Sequence, residues 1–294
     1  MAKLNSAEQN ILEEIAVWKT NGPGFLNRAT NFVSKPLVWA GGKLIPDNVK
    51  GSLGKVTETV VEKLQDLSKW TVKEDDVLKR TKEFEIDSET ILALKKASVH
   101  DLDHVAEGFI RQNAQFAAAE GFGSGIIGWP GLIADLPALF TLSMRTLYQI
   151  SLSYGYRVDE ENGNQDFEIG YMFRIFKIAT AAEKVEKTKG LLDLKDFESS
   201  FNDEVEQSVG NDYTTKQVSK SAAIQLSSLI IREIIEQTFT RKLVTLAPGI
   251  GAVLTGGFNY AYVNDVGKAA FMLYRERFLM DKKGRKKVIN IEID

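Results

Sequence analysis

Both histidines of the chain fall in "HDLDH": His100 and His104, four residues apart and so on one face of a helix, with Glu107 following one turn on. That spacing can ligate zinc or another divalent cation once a third ligand arrives from elsewhere. The glutamate that directly follows the first histidine in a metalloprotease is missing. Asp101 either pairs with a neighbour or faces solvent, and the plainer reading of the whole stretch is a solvated helix face. Two acid–base pairs offer a second kind of chemistry. Arg145 comes ten residues after Asp135, and Arg275 ten residues after Asp265. Ten residues leave the partners about 80° apart around a helix. A bridge is therefore expected between segments, Asp135 to Arg275 or Asp265 to Arg145, which would neutralise buried charge. Otherwise each aspartate caps a helix and each arginine lies at the surface. No serine stands in a nucleophile elbow, and cysteine is absent, which removes thiolate metal sites, cysteine nucleophiles and disulfides.

The stretch "AAAEGFGSGIIGWPGLIADLPALF" raises the possibility of a phosphate loop. Such a loop needs a preceding strand and a lysine or helix N-terminus to meet the anion. Here a long helical pattern precedes it, and no lysine lies between Lys96 and Lys177. Nucleotide binding is set aside on that ground. Gly121, Gly125 and Gly128 instead fall at i, i+4 and i+7, one stripe of a helix, where each costs about 1 kcal/mol against alanine. That cost is offset if another backbone approaches closely. "WPG" then reads as a turn, with Asp135 capping the next helix and Pro137 in its first turn. A second segment, "LVTLAPGIGAVLTGGFNYAYVNDVGKAAF", repeats the scheme loosely, with Gly249, Gly251, Gly256 and Gly257 before Asn259 and Asp265. Two glycine-rich helical hairpins packed on each other are expected.

The remaining elements are helical in pattern. Ser6 and Gln9 read as a capping box for a first helix carrying Ile11, Ile15 and Trp18 on one face. A second amphipathic helix is expected from about Pro46 to Trp70. A long one starts at Asp87 or Ser88 and reaches about Ile127. The helix after "WPG" ends near Gly155. "FEIGYMFRIFKIATAAEKV" is apolar on nearly every face and should be buried. Residues 188–212 are polar enough to be a mobile excursion. Helices are expected over about 214–241 and 257–278. "EFEID" (83–87) and "INIEID" (289–294) alternate apolar and polar residues and are expected either to pair as a small terminal β-ribbon or to be frayed connectors. The fold class is therefore all-α, in a single domain over 1–294: N-terminal helices over about 6–86, a core over 87–280 and a basic tail over 281–294.

With 294 residues, 44% hydrophobic and 26% charged, the composition is that of an ordinary globular chain, and a formal charge of −3 gives no field that would draw it to nucleic acid. The N-terminus lacks the order of a secretory signal, so a cytosolic start is expected. Residues 243–264 carry no charge and are long enough to cross a bilayer, but glycine, Asn259 and two tyrosines dilute the window, and Asp135 sits in the middle of the first segment. A buried core is the plainer expectation, with peripheral membrane contact as the alternative. "KKGRKK", Lys282, Lys283, Arg285, Lys286 and Lys287, reinforced by Arg275 and Arg277, is the concentrated basic patch, suited to anionic lipid headgroups or serving as a solubilising tail.

The stretch from Ala117 to Tyr156 resembles the core motif of the EcsC protein family. The elements that carry the likeness are Glu120–Gly121, Gly125, Gly128, Gly131, Ala134–Asp135–Leu136–Pro137 and Tyr154–Gly155. "VWKTNGPGFLNRATNF", "KLIPDNV" and "LAPGIGAVLTGGFNYAYVNDVGKAA" resemble the flanks of that family. Residues 188–212, "HDLDH" and the basic tail stand outside its pattern. The resemblance implies a bacterial protein working near a membrane beside an ABC transport system, and it supplies no catalytic residue to carry over. The expectation it favours is a non-enzymatic, membrane-peripheral accessory protein without a cofactor, whose hairpins form an apolar core or an acyl-chain groove and whose partners are an anionic membrane surface or ABC transporter subunits. The alternatives are a soluble metal-dependent enzyme using His100 and His104, and a protein–protein adaptor.

Overall fold

In a computed structural model of the chain, the structure describes residues 3–22, 24, 47–65, 72–124, 129–158, 164–208, 229–242 and 251–284. The elements are α1 (Ser6–Thr20), α2 (Asp47–Gln65), α3 (Glu74–Lys82), a 3-10 turn (Leu92–Lys96), α4 (Val99–Ser124), α5 (Trp129–Ser153), α6 (Gln165–Thr180), α7 (Lys184–Ser208), α8 (229–242) and α9 (Gly251–Lys283). No strand occurs among the described residues. The class is all-α, as the three- and four-residue periodicity requires.

α9 is the axis of the packing, in contact with α4, α5, α6 and α1. It buries Phe258, Tyr262, Val266, Ala270, Leu273, Tyr274 and Phe278 on several faces, which explains why no single apolar stripe stands out in its sequence. Gly267 lets α4 come close: a Cβ there would lie 2.8 Å from Ile110 Cγ1. Pairs along the helices fix their sense. Asp103 faces Arg275 while Ile110 faces Gly267, so α4 runs antiparallel to α9. Asn113 faces Gln149 and Asp103 faces Tyr154, so α5 runs antiparallel to α4 and parallel to α9. The C-terminus of α4 and the N-termini of α5 and α9 therefore share one end of the molecule, and Gly121, Gly131, Gly251, Gly256 and Gly257 lie there.

Several expectations are corrected by local chemistry. The first helix is capped one residue earlier than Ser6: Asn5 Oδ1 accepts from the Glu8 N–H at 2.8 Å and Glu8 Oε2 accepts from the Asn5 N–H at 3.0 Å. The "EFEID" strand does not form. Thr81 is the last buried residue of α3, and its carbonyl accepts from the Ile86 N–H at 3.1 Å, with Glu85 at φ 60, so the segment closes the helix as a left-handed turn. "INIEID" lies outside the described residues. The long helix after residue 87 is a short 3-10 turn and then α4, because Ala97 is extended at ψ 168 and ends the turn. Residues 188–208 are helical, and α7 packs through Leu191, Leu194 and Phe197 rather than forming an excursion. "WPG" opens α5 instead of forming a turn before it, with Pro130 in the first helical turn, where its missing N–H costs nothing. Asp135 is thus an interior residue of α5, not its cap, and Pro137 lies inside the helix on a half-exposed face where water can take the freed carbonyl.

Two expectations hold closely. α6 buries eleven of its sixteen residues. α5 ends at Gly155 with φ +82, where Gly155 N–H donates to Leu152 O at 2.9 Å and Tyr156 N–H to Ser151 O at 2.9 Å. A side chain there is barred twice over, since a Cβ would also lie 2.6 Å from Lys95 Cγ and 3.2 Å from Ile91 O. No helix among the described residues is long and apolar enough to cross a membrane.

Candidate functional site

Charged residues that interrupt the buried stripe of a helix mark where the interior stops being merely apolar. α8 presents Ile231, Ile235, Thr238 and Lys242 at i, i+4, i+7 and i+11, so the stripe that buries the isoleucines carries an ammonium inward with them. Lys242 is fully buried and pairs with the Asp135 carboxylate of α5, which also accepts from Asn259 Nδ2 of α9 at 3.0 Å. Burial alone pushes the Lys242 pKa down to about 7, and the carboxylate against it is what keeps the proton on. Phe258 lies 5.8 Å from the ammonium, and Thr238 and Tyr262 share a hydroxyl hydrogen bond of 2.9 Å nearby. Three helices thus meet on one buried charge pair at the glycine-rich end.

Beside this cluster the described residues of α5 expose a face without charge, with the exposed Glu120 of α4 toward the same end. Between Glu120 and Arg145 the sequence has Asp135 as its one charged residue, and 243–264 has none. On α5, Pro130, Ala134 and Ala138 are exposed and Ile133 and Pro137 half-exposed, a continuous face at i, i+3, i+4, i+7 and i+8. Phe116 of α4 is 51% exposed and Tyr260 of α9 is 40% exposed, and both lie toward the same end.

The opposite end of α9 is ionic. Asp103 of α4, another acid on a buried stripe, accepts from Tyr154 Oη at 2.6 Å and lies 2.7 Å from Arg275, whose other nitrogen donates to Glu14 of α1 at 2.9 Å. Burial raises the Asp103 pKa to about 6 although the Tyr154 hydroxyl and the Arg275 guanidinium both work to lower it. Arg277 donates two hydrogen bonds to Glu168 of α6, at 2.9 and 2.7 Å, and lies 3.9 Å over the Tyr156 ring with Phe167 and Tyr171 at 5.0 Å. Tyr156 in turn donates to Asp281 at 2.8 Å. α1 is fastened here as well, through Glu8 to Lys282 and Lys19 to Glu276.

The sequence-expected residues distribute as follows. The cross-bridge from Asp135 to Arg275 is not made, because the two sit at opposite ends of the structure and each has a nearer partner. Asp265 lies against Gly24, where a Cβ would come within 2.3 Å of its Oδ2, and Arg145 is half-buried with its Nε lacking a hydrogen bond among the described residues. Gly121 is buried, as a close-packing stripe requires, but Gly257 is exposed with nothing within 4 Å of a Cβ position, so close approach does not account for it. Gly251 and Gly256 fall in the first turns of α9, while Gly125, Gly128 and Gly249 lie outside the described residues. Arg275 and Arg277 are 7% and 8% exposed and belong to the interior, not to a basic surface patch. Lys282 is committed to Glu8 and Lys283 is exposed, while Arg285, Lys286 and Lys287 lie outside the described residues.

His100 and His104 share an exposed face of α4, their rings edge-to-face at 4.7 Å, with His104 stacked on Phe84 at 5.8 Å. No group of three His, Cys, Asp or Glu side chains able to hold a metal gathers among the described residues. The residues that sequence reasoning missed, Lys242, Asp103 and Glu168, share one signal: each is a charge at a position where the helical stripe calls for an apolar side chain.

The EcsC protein family model matches residues 9–279. Among curated proteins, the chain is 26% identical over 246 residues to "Uncharacterized protein YdbA" of Bacillus subtilis (strain 168), covering 82% of each chain. It is 27% identical over 234 residues to "Protein EcsC" of the same organism, covering 78% of this chain and 85% of that one. No solved structure matches. With the family match running over nearly all of the sequence, the chain belongs to the EcsC protein family.

Proposed function

We propose that the protein is a non-enzymatic accessory protein that works peripherally at a membrane and meets the lipid with its glycine-rich end. The observation that carries this reading is the uncharged, exposed face of α5 formed by Pro130, Ile133, Ala134, Pro137 and Ala138, with Phe116 and Tyr260 exposed toward the same end. An interfacial contact of this kind takes its affinity from apolar area laid into the headgroup–acyl boundary. Burial of Asp135 against Lys242 withdraws one charge pair from that face, with Glu120 of α4 the exposed acid left toward this end.

The basic tail enters the reading differently from the sequence expectation. Lys282 follows Gly257 by 25 residues of continuous helix, about 38 Å at 1.5 Å per residue, so the tail begins at the far end of the molecule from the uncharged face. Apolar contact and attraction to anionic lipid are therefore two separable contributions. Association with ABC transporter subunits belongs to the proposal by analogy with the family and is tested by pull-down.

Co-sedimentation with phosphatidylcholine vesicles and with vesicles containing phosphatidylglycerol tests the lipid reading. Binding to both is expected, and Ala134→Glu with Ala138→Glu should weaken it by at least about tenfold, since each charge must be dragged toward the acyl region. No binding to either vesicle, or binding indifferent to the two glutamates, overturns it.

A further inference from the structure

We infer that Arg145 is the residue that takes a phospholipid phosphate where the uncharged face of α5 meets the headgroups. The inference rests on the membrane reading and adds to it the chemical group on the lipid that is recognised. It starts from an exception among the arginines. Arg145 is half-buried, its Nε is enclosed without a hydrogen bond, and it enters no ion pair among the described residues. Every other described arginine that is not exposed has a partner. Arg80 has Gln112 at 2.9 Å, Arg157 has Glu74 at 3.8 Å, Arg174 has Asp193 at 3.3 Å and Arg241 has Gln237 at 3.4 Å. Arg275 and Arg277 each hold a carboxylate at 2.7 Å. A cation set against protein without an acceptor loses hydration for nothing, so the donors of Arg145 are left for a group from outside the chain.

Its place on α5 says which group. Arg145 follows Ala134 by eleven residues, Ala138 by seven and Thr141 by four, which puts it within about 20–40° of them around the helix. Ala134 and Ala138 are exposed and Thr141 and Leu142 half-exposed, so one stripe runs from the uncharged face to the guanidinium. Asp135 is buried, and Arg145 is therefore the first charge to reach the surface along α5. Along the axis it lies about 10 Å past Ala138. A helical side chain leans toward the N-terminus of its own helix, so the guanidinium reaches back toward the face. The headgroup layer is about 5–8 Å deep on each side of a bilayer. With Ala134 and Ala138 at the acyl boundary, the guanidinium arrives at the level of the phosphates.

A phosphodiester fits that position. Its two free oxygens match the guanidinium fork in a bidentate pair, which a lysine cannot reproduce. Phospholipids carry this group whether their net charge is zero or negative, so recognition at Arg145 is separate from any attraction of the basic tail to anionic lipid. A free phosphate would have the arginine alone. A lipid phosphate arrives with the apolar contact beside it, and the two act together.

The experiment compares co-sedimentation with vesicles of phosphatidylcholine and with vesicles of galactosyl diacylglycerol, whose uncharged headgroup has no phosphate. The parent is expected to bind phosphatidylcholine at least about tenfold more tightly. Arg145→Gln should lower that binding to the level on the glycolipid and leave the glycolipid level unchanged, with Arg145→Lys in between. The urea midpoint of Arg145→Gln should equal or exceed the parent's, because no internal contact is lost. Equal binding of the parent to both vesicles, or a preference for phosphatidylcholine that survives Arg145→Gln, overturns the assignment and leaves the membrane reading standing. Release from phosphatidylcholine by excess inorganic phosphate at matched ionic strength overturns it in favour of a free anion. A urea midpoint well below the parent's overturns it by making the guanidinium structural. Absence of binding to either vesicle overturns the membrane reading itself, and this inference with it.

Discussion

The two ends of α9 handle charge in opposite ways, though they belong to one uninterrupted helix. At the glycine-rich end the first fourteen residues of α9 are uncharged, and the charge pair that lies there, Asp135 with Lys242, is withdrawn beneath three helices. At the C-terminal end Arg275, Glu276, Arg277, Asp281 and Lys282 follow within eight residues, and nearly every one has a partner on a different element. A pair drawn from three helices in an apolar setting commits those helices to one arrangement, because a misplaced partner leaves a bare charge in the interior. A set of half-exposed pairs around α1 commits the chain far less.

Breaking the interior pairs should therefore show the largest effect. Lys242→Met leaves Asp135 ionised without its cation and is expected to cost about 3–5 kcal/mol, whereas Asp135→Leu with Lys242→Met removes both charges and should restore most of that loss. Urea denaturation of the two variants measures it. Equal destabilisation of single and double variants would show that packing, not charge, governs this end.

The ionic end should betray itself through pH. Asp103 has a folded-state pKa raised to about 6 from 3.8, so the stability it contributes is full below pH 3.8 and is lost as pH rises through 6. The loss is on the order of 3 kcal/mol. Asp103→Asn keeps an acceptor for the Tyr154 hydroxyl and removes the titration. Between pH 4 and 7 the stability of the variant relative to the parent should accordingly climb by about that amount, read from thermal or urea unfolding at each pH.

The smallest difference separates two glycines of α9. Gly267→Ala forces a methyl to within 2.8 Å of Ile110 and is expected to cost about 1–3 kcal/mol by overpacking. Gly257→Ala meets nothing within 4 Å and should stabilise the helix by up to about 1 kcal/mol. If both alanines behave alike, the contact between α4 and α9 is looser than the structure has it.

Helical class, the burial of α6 and the stop at Gly155 were legible in the sequence because each depends on local pattern: periodicity for the helices, a left-handed residue for the stop. The partners of Asp135 and Arg275 were not. Spacing along a chain gives the angle of a side chain around its own helix, but it carries no information about which other helix arrives on that side. Asp135 was read as a cap because proline two residues later suits a first turn. Pro130 suits one equally well, and the helix begins there instead. Arg277 was read as part of a surface patch because it lies near "KKGRKK". Its position on the stripe Val266, Ala270, Leu273 and Arg277 would have sent it inward. Of the glycines expected to pack closely, Gly121 is buried and Gly257 is exposed. Missing side chains permit close approach without compelling it: Gly267 meets Ile110 of α4, while Gly257 meets nothing.

The 33 residues of α9 form a rod about 50 Å long with no proline in it. A rod of that kind works as a lever. Tilting it by about ten degrees around the fulcrum where Gly267 meets Ile110 would carry each tip sideways by roughly 4 Å, in opposite directions. Whatever pulls on the tip bearing Tyr260 would in this way be felt by the helix strapped across the other.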